Sequence, residues 1–138
     1  MQSETVILLL RVALGICFLW FGMLKFFVGM SPAEQLAIMT MNLLTFGLIP
    51  SMIAIKLLAL WEVIVGLGFL IGKQIKWVVV LFLIHMTLTF TPLILFPELC
   101  FTQPPFALTL VGQYIVKNIV LIMGGVIIYL THNQKKYQ

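Results

Sequence analysis

Four long apolar runs divide the chain, at about 5–28, 52–71, 77–95 and 108–130. Each matches the ~20 residues a helix needs to cross a bilayer. The second and third runs are joined by the short turn Gly72-Lys73-Gln74-Ile75-Lys76, and the fourth leads into Thr131-His132-Asn133-Gln134-Lys135-Lys136. The first longer connection carries its own helical signal: Ser31-Pro32-Ala33-Glu34 has the pattern of a capping box with proline at the first helical position. It predicts a short helix from Pro32 to about Leu44. Polar Glu34, Gln35, Thr40, Asn42 and Thr45 are scattered among its leucines, isoleucine and methionine, which suits an element lying in the interface or over the bundle mouth. The second longer connection, Phe96 to Pro105, is proline-rich yet apolar and reads as a lid. The predicted fold is an all-α membrane protein, a four-transmembrane-helix bundle with a short interfacial helix in the first external loop, forming a single domain over 1–138.

Polar and small residues recur on particular helix faces. In the first run Arg11, Gly15, Phe18, Gly22 and Lys25 are spaced four, three, four and three apart, one stripe of a helix with ~3.6 residues per turn. Small residues let a second helix approach closely and ionisable groups avoid lipid, so this stripe is expected to face the bundle interior. In the second run Glu62 shares a face with Ala59, Gly66 and Phe69. The fourth run sets Lys117 with Gln113, Tyr114 and Gly124. The third is weakest, with His85 beside Thr89 and Pro92. Gly15, Gly22, Gly66 and Gly124 are the expected helix-packing positions.

Composition removes the soluble alternatives. Hydrophobic residues are 62% of the chain and charged residues 9%, against roughly 45–50% and 25% in soluble domains. The net charge of +4 comes from loop lysines and intramembrane cations and forms no basic stripe, so nucleic-acid binding is not indicated. Lys73, Lys76, Lys135 and Lys136 share one side, while the two longer loops hold Glu34 and Glu98 and no Lys or Arg, which places both termini in the cytoplasm by the positive-inside rule. The first run is expected to be retained rather than cleaved, because Glu4 precedes any basic residue and Lys25 occupies the place of a small-residue cleavage site.

An ionised group near mid-bilayer costs at least ~2.5 kcal/mol unless paired. Depths counted at ~1.5 Å per residue bring Arg11, His85, Glu62 and Lys117 within reach of one internal region. Glu62 is the sole acid there. The expectation is an Arg11/Glu62/Lys117 cluster with His85 as a neutral, hydrogen-bonding neighbour; the competing reading is a static ion pair that fixes helix register. Lys25 and Lys56, close to the opposite helix ends, are expected to lift their ammonium groups to the interface.

Several chemistries drop out. Cys17 and Cys100 lie in different environments without a Cys-x-x-Cys motif, so a dithiol site is not expected and both read as free thiols. His85 and His132 are too far apart in depth for bis-histidine haem. No metal-ligand spacing or phosphate loop is present.

The run Arg11-x3-Gly15-x2-Phe18-x3-Gly22-x2-Lys25-Phe26, with Glu62-x3-Gly66 leading to Leu70-x-Gly72, resembles the DoxX family of small four-helix membrane proteins. Gly112-Gln113-Tyr114-Ile115-Val116-Lys117-Asn118 is similar to the fourth-helix pattern of its relatives, which adds Asn118 to the candidates. The resemblance implies a bacterial inner-membrane protein with a quinone or redox connection, since such families include a membrane subunit of thiosulfate:quinone oxidoreductase and proteins of oxidative-stress complexes. It assigns no catalytic residue. Together the two lines suggest a polar pocket in the bundle where Arg11, Glu62, His85, Tyr114, Lys117 and Asn118 would meet a quinone or similar lipid-soluble ligand. A redox subunit would also need a partner subunit, because the chain has no electron carrier of its own. Two other classes stay open: a small proton-coupled transporter using Glu62, and a structural subunit whose buried charges specify assembly, homo-oligomeric assembly included.

Overall fold

An apolar chain in lipid finds no water for its backbone groups, so each crossing segment closes its hydrogen bonds internally as a helix. The computed structural model, which describes residues 2–134, follows that rule. Its long helices are α1 (Gln2–Leu24), α3 (Ser51–Ile71), α4 (Ile75–Leu88) and α7 (Leu110–Gln134). Between α1 and α3 lies α2 (Glu34–Leu44). After α4 come α5 (Thr91–Leu95), α6 (Pro97–Cys100) and two short strands, β1 (Phe101–Gln103) and β2 (Ala107–Leu108). Four segments are long and apolar enough to cross a membrane: Glu4–Leu24, Ser51–Ile71, Ile75–Leu95 and Leu110–Gln134. Lys135 and Lys136, half of the lysine argument for orientation, lie outside the described residues.

Three boundaries differ from the sequence expectation, each for a local reason. The first helix stops at Leu24 rather than about residue 28, because the chain tightens into three-residue turns there. Lys25 N–H donates to Gly22 O at 3.2 Å and Phe26 N–H to Met23 O at 3.1 Å, and Gly29 turns the chain at φ 77°. The capping box does not form: α2 starts at Glu34, Ala33 is its N-cap without a side-chain bond, and the Glu34 carboxylate accepts the Gly29 N–H at 2.7 Å. The third span is broken after Leu88. Pro92 has no N–H to offer the Leu88 carbonyl, and the Thr91 hydroxyl donates to that carbonyl instead, at 2.8 Å.

The second long loop is more ordered than a lid of irregular chain. Strands β1 and β2 pair antiparallel, Phe101 opposite Leu108 and Gln103 opposite Ala107, about a cis Pro104–Pro105 bond. Cys100 is fully buried, its thiol 3.5 Å from the Pro92 carbonyl. Thr109 caps α7, its hydroxyl accepting the Gly112 N–H at 3.1 Å and donating to Leu99 O at 2.7 Å. Helix α2 packs on α3 and α5, tied by a 3.0 Å bond from Asn42 to the Ser51 hydroxyl. These elements and the hairpin make one end of the bundle; the α3–α4 turn and the outer ends of α1 and α7 make the other.

Helices α1 and α3 run antiparallel in the most extensive contact of the molecule. Glycine sets their distance. A Cβ at Gly66 would lie 2.5 Å from the Leu19 backbone nitrogen, one at Gly15 3.0 Å from the Gly66 carbonyl, and one at Gly22 2.8 Å from Glu62 Cβ. At Gly124, by contrast, a Cβ would sit 3.4 Å from Leu10 Cδ1, ordinary contact. The tight glycines on α7 are Gly112, which lies against the Cys100 carbonyl, and Gly125, which receives the Phe82 ring. Below this level Leu14, Phe18, Val65, Phe69, Ile75, Val79, Phe82, Met86 and Ile128 form the apolar core.

Candidate functional site

The register of α1 against α3 decides which charges meet. Gly22 sits on Glu62, so the residue one turn further along the α1 stripe, Lys25, falls beside the Glu62 carboxylate. Lys25 Nζ donates to Glu62 Oε2 at 2.6 Å. Its backbone has already left the helix, and the ammonium also lies 3.5 Å from the Phe21 carbonyl. From α4, one side over, His85 Nε2 is 3.2 Å from Glu62 Oε1. Both carboxylate oxygens are thus engaged, one by each base. Glu62 is 7% and His85 5% exposed, and the Lys25 side chain only 9%.

The surrounding side chains explain how a charge survives in this place. The His85 ring packs edge-on against Phe18 at 5.4 Å and near Trp61 at 6.3 Å, and Trp61 itself donates to the Leu81 carbonyl at 3.3 Å, holding α3 to α4. These rings keep water away, which strengthens the Lys25–Glu62 attraction and raises the cost of losing either partner. Chemically the arrangement is an acid between two bases at 2.6 and 3.2 Å, distances at which a proton passes directly between heavy atoms.

The expected Arg11/Glu62/Lys117 cluster does not form. Arg11 is on the predicted stripe but ~21 Å from Lys25 along it, and its guanidinium lies over Gly72 at the left-handed end of α3. Lys117 points outward and stacks over the Tyr114 ring at 5.4 Å; Tyr114 is 61% exposed. The face of α7 that packs inward carries Gly112, Ile115, Gly125 and Ile128, which leaves Gln113, Tyr114 and Lys117 on the outside. Asn118 is half-buried and its amide donates to the Thr89 hydroxyl at 3.3 Å. Of the six candidates the structure therefore joins two in the buried cluster, Glu62 and His85, while Tyr114 and Lys117 meet only each other on the outside.

Lys25 is the group the sequence reading sent elsewhere. Read as a snorkelling lysine, it instead turns inward, because the helix unwinds just before it and an unpaired carboxylate lies within reach. The signal was present: Lys25 ends the same stripe as Gly22, and the glycines that fix the helix contact also fix which residue faces Glu62. Among the described residues, no group of three or more His, Cys, Asp or Glu is placed to hold a metal. Two cavities, about 410 and 120 Å³, lie at the opposite end, and Glu62 lines neither of them.

The DoxX family model matches residues 6–103, about seven-tenths of the chain, and the chain belongs to the DoxX family. The match takes in α1 to β1, and with them Lys25, Glu62 and His85, and stops before α7. No curated protein and no solved structure matches the chain.

Proposed function

We propose that this DoxX-family chain is a membrane subunit of a quinone-linked redox system, and that Lys25, Glu62 and His85 are its proton-handling and head-group site. The observation that carries this reading is the carboxylate held between two bases inside an apolar bundle. Reduction of a quinone carbonyl to a hydroxyl takes up electrons and a proton; Lys25 or His85 can hydrogen-bond the carbonyl and give up that proton, and Glu62 relays a replacement proton from water to the depleted base. A head group arriving through the lipid would reach Lys25 first, since its backbone sits at the open end of α1 beside exposed Phe21 and Phe26. Electrons come from a partner subunit. Its docking face is the outward side of α7, where Gln113, Tyr114 and Lys117 stand among exposed Leu110 and Val120. The termini and the α3–α4 turn face the cytoplasm in this reading, supported by Lys73 and Lys76 on the turn and Glu34 and Glu98 on the other side.

The test is thermal unfolding of the purified protein in lipid nanodiscs with and without a short-chain ubiquinone. The expected result is a quinone-dependent rise in melting temperature that is lost in His85→Gln and in Lys25→Gln but kept in Arg11→Gln. No rise in the parent protein, or the same rise in all three variants, removes the quinone site from these residues. Orientation is checked separately, with Cys17 and Cys100 replaced: a cysteine at Gln35 is expected to react with an impermeant thiol reagent in intact cells and one at Gln74 to stay shielded.

One observation favours a second reading, a structural lock. The three side chains satisfy one another and Glu62 lines neither cavity, as a group would that only fixes the register of α1, α3 and α4. That reading predicts loss of folded protein on breaking the triad and no ligand-dependent shift at all.

A further inference from the structure

The end of the bundle away from Glu62 has the opposite character. Two recesses lie side by side there and share Ile75 and His132 as walls. The larger, about 410 Å³, is bounded by Lys76, Trp77 and Tyr129 among others; the smaller, about 120 Å³, reaches Arg11 over Gly72. Among the described residues, neither recess is lined by an acidic side chain. Arg11 is half-buried, and among the described residues it makes no ion pair. A guanidinium without a carboxylate partner among the described residues, facing a recess that His132 also lines and that adjoins the recess lined by Lys76, is well placed to receive an anion.

We propose that Arg11, Lys76 and His132 form a binding site for a phosphate group, and the geometry points to the head group of an acidic phospholipid as its source. The volume falls within the range of small-ligand clefts. The ring of Trp77, 63% exposed, and that of Tyr129 flank the basic groups, and such amphipathic rings sit at head-group level in membranes. Ile75, Ile128 and Ile7 line the inner walls, giving the glycerol and upper acyl carbons an apolar surface that free phosphate does not use. Basic recesses between transmembrane helices at a membrane surface are of the kind that hold lipid phosphates. Arg11 supplies the fork that engages two phosphate oxygens together, while Lys76, exposed at the rim, and His132 close around the remaining ones.

The experiment compares the intact protein in nanodiscs of phosphatidylcholine alone with nanodiscs doped with phosphatidylglycerol, reading by native mass spectrometry the lipid retained after delipidation. Retention of phosphatidylglycerol over phosphatidylcholine is expected, falling about tenfold in Arg11→Gln, in line with loss of a charged hydrogen bond. Lys76→Gln, a change at an exposed position outside the packed core, is expected to weaken retention by a smaller factor, and Lys117→Gln, a cation on the outside of α7, to leave it unchanged. Inorganic phosphate added to the phosphatidylcholine sample is the second arm: a thermal shift that depends on Arg11, without selective lipid retention, assigns the site to free phosphate rather than lipid. Equal retention of the two lipids with no phosphate shift overturns the proposal, and so does a loss in Lys117→Gln as large as in Arg11→Gln, which would reduce the effect to net charge.

Discussion

The two ends of the stripe on α1 carry one cation each, and the bundle treats them in opposite ways. Lys25 is folded inward onto Glu62, shielded by aromatic rings, with every charge answered within 3.2 Å. Arg11 lies in a recess that no acid lines among the described residues, with His132 in its wall and the recess of Lys76 beside it. Both residues face α3 and both lie on the same stripe, Arg11 within α1 and Lys25 just past its end. What separates them is register: the glycine contacts at Gly15, Gly22 and Gly66 put Glu62 opposite one end of the stripe and the α3–α4 turn opposite the other. Whether a cation in an apolar bundle is paired is thus fixed by which backbones touch, more than by how deep the cation lies.

The sharpest way to break this comparison is to remove the acid. Glu62→Gln strands Lys25 in a buried place, and the expected loss of stability is about 3–5 kcal/mol, read as thermal unfolding in detergent. Adding Lys25→Gln is expected to recover part of that loss, whereas Glu62→Gln combined with Arg11→Gln or Lys117→Gln should be additive within ~0.5 kcal/mol, because neither cation touches the carboxylate. A recovery with Arg11→Gln equal to that with Lys25→Gln would place the partner wrongly.

Next in size is the register itself. Gly66→Leu forces side-chain atoms into the Leu19 backbone, and Gly22→Leu into Glu62; overpacking of this kind costs about 1–3 kcal/mol or more, visible as a lower yield of folded protein. Gly124→Ala meets only the tips of Leu10 and Leu14 and is expected to change stability by less than ~1 kcal/mol, the helix preference for alanine offsetting any crowding. Equal damage at Gly124 and Gly66 would mean that α1 and α3 are not the pair in closest contact.

Smaller still are the charges outside the triad. Arg11→Gln and Lys117→Gln are each expected to shift stability by no more than about 0.5 kcal/mol, so that Arg11 matters for what the recess binds and little for whether the bundle stands. The last expectation concerns the loop end. Burial and the nearby Glu98 carboxylate push the Cys100 thiol up from its ordinary value, so less thiolate is present at neutral pH. Cys100 should resist a small maleimide in the folded protein and react once the chain is unfolded in detergent and urea; rapid labelling in the folded state would show that the hairpin does not cover it.

Much of this architecture was legible in the sequence because bilayer thickness leaves few options for a 20-residue apolar run. The four spans, the short helix between the first two and the inward stripe of α1 follow from length and period alone. The break after Leu88 was carried by Pro92 but hidden by the hydropathy around it, since Leu93, Ile94 and Leu95 keep the run apolar. The pairing of Glu62 was misread for a physical reason. Depth along separate helices says which groups are level, yet a lysine stem spans ~6 Å and a helix can unwind before it, so Lys25 reached a carboxylate that depth alone gave to Arg11. Lys117 failed for a different one: a polar residue on a membrane helix was taken to face inward, while glycine and isoleucine on the other side of α7 make the tighter contact.

Between His85 and the Arg11 recess the interior along α4 is Phe82, Val79 and Ile75, ~15 Å of helix, with Phe18 and Phe69 stacked against Phe82 at 5.1 and 5.3 Å. Phe18, Phe69, Ile75, Val79 and Phe82 of this layer all belong to the apolar core. It is an electrical insulator set across the fold. In the proposed reading, a proton that Glu62 gains or gives up would then enter and leave by the loop side. On that reading the chain would be a device with a single port.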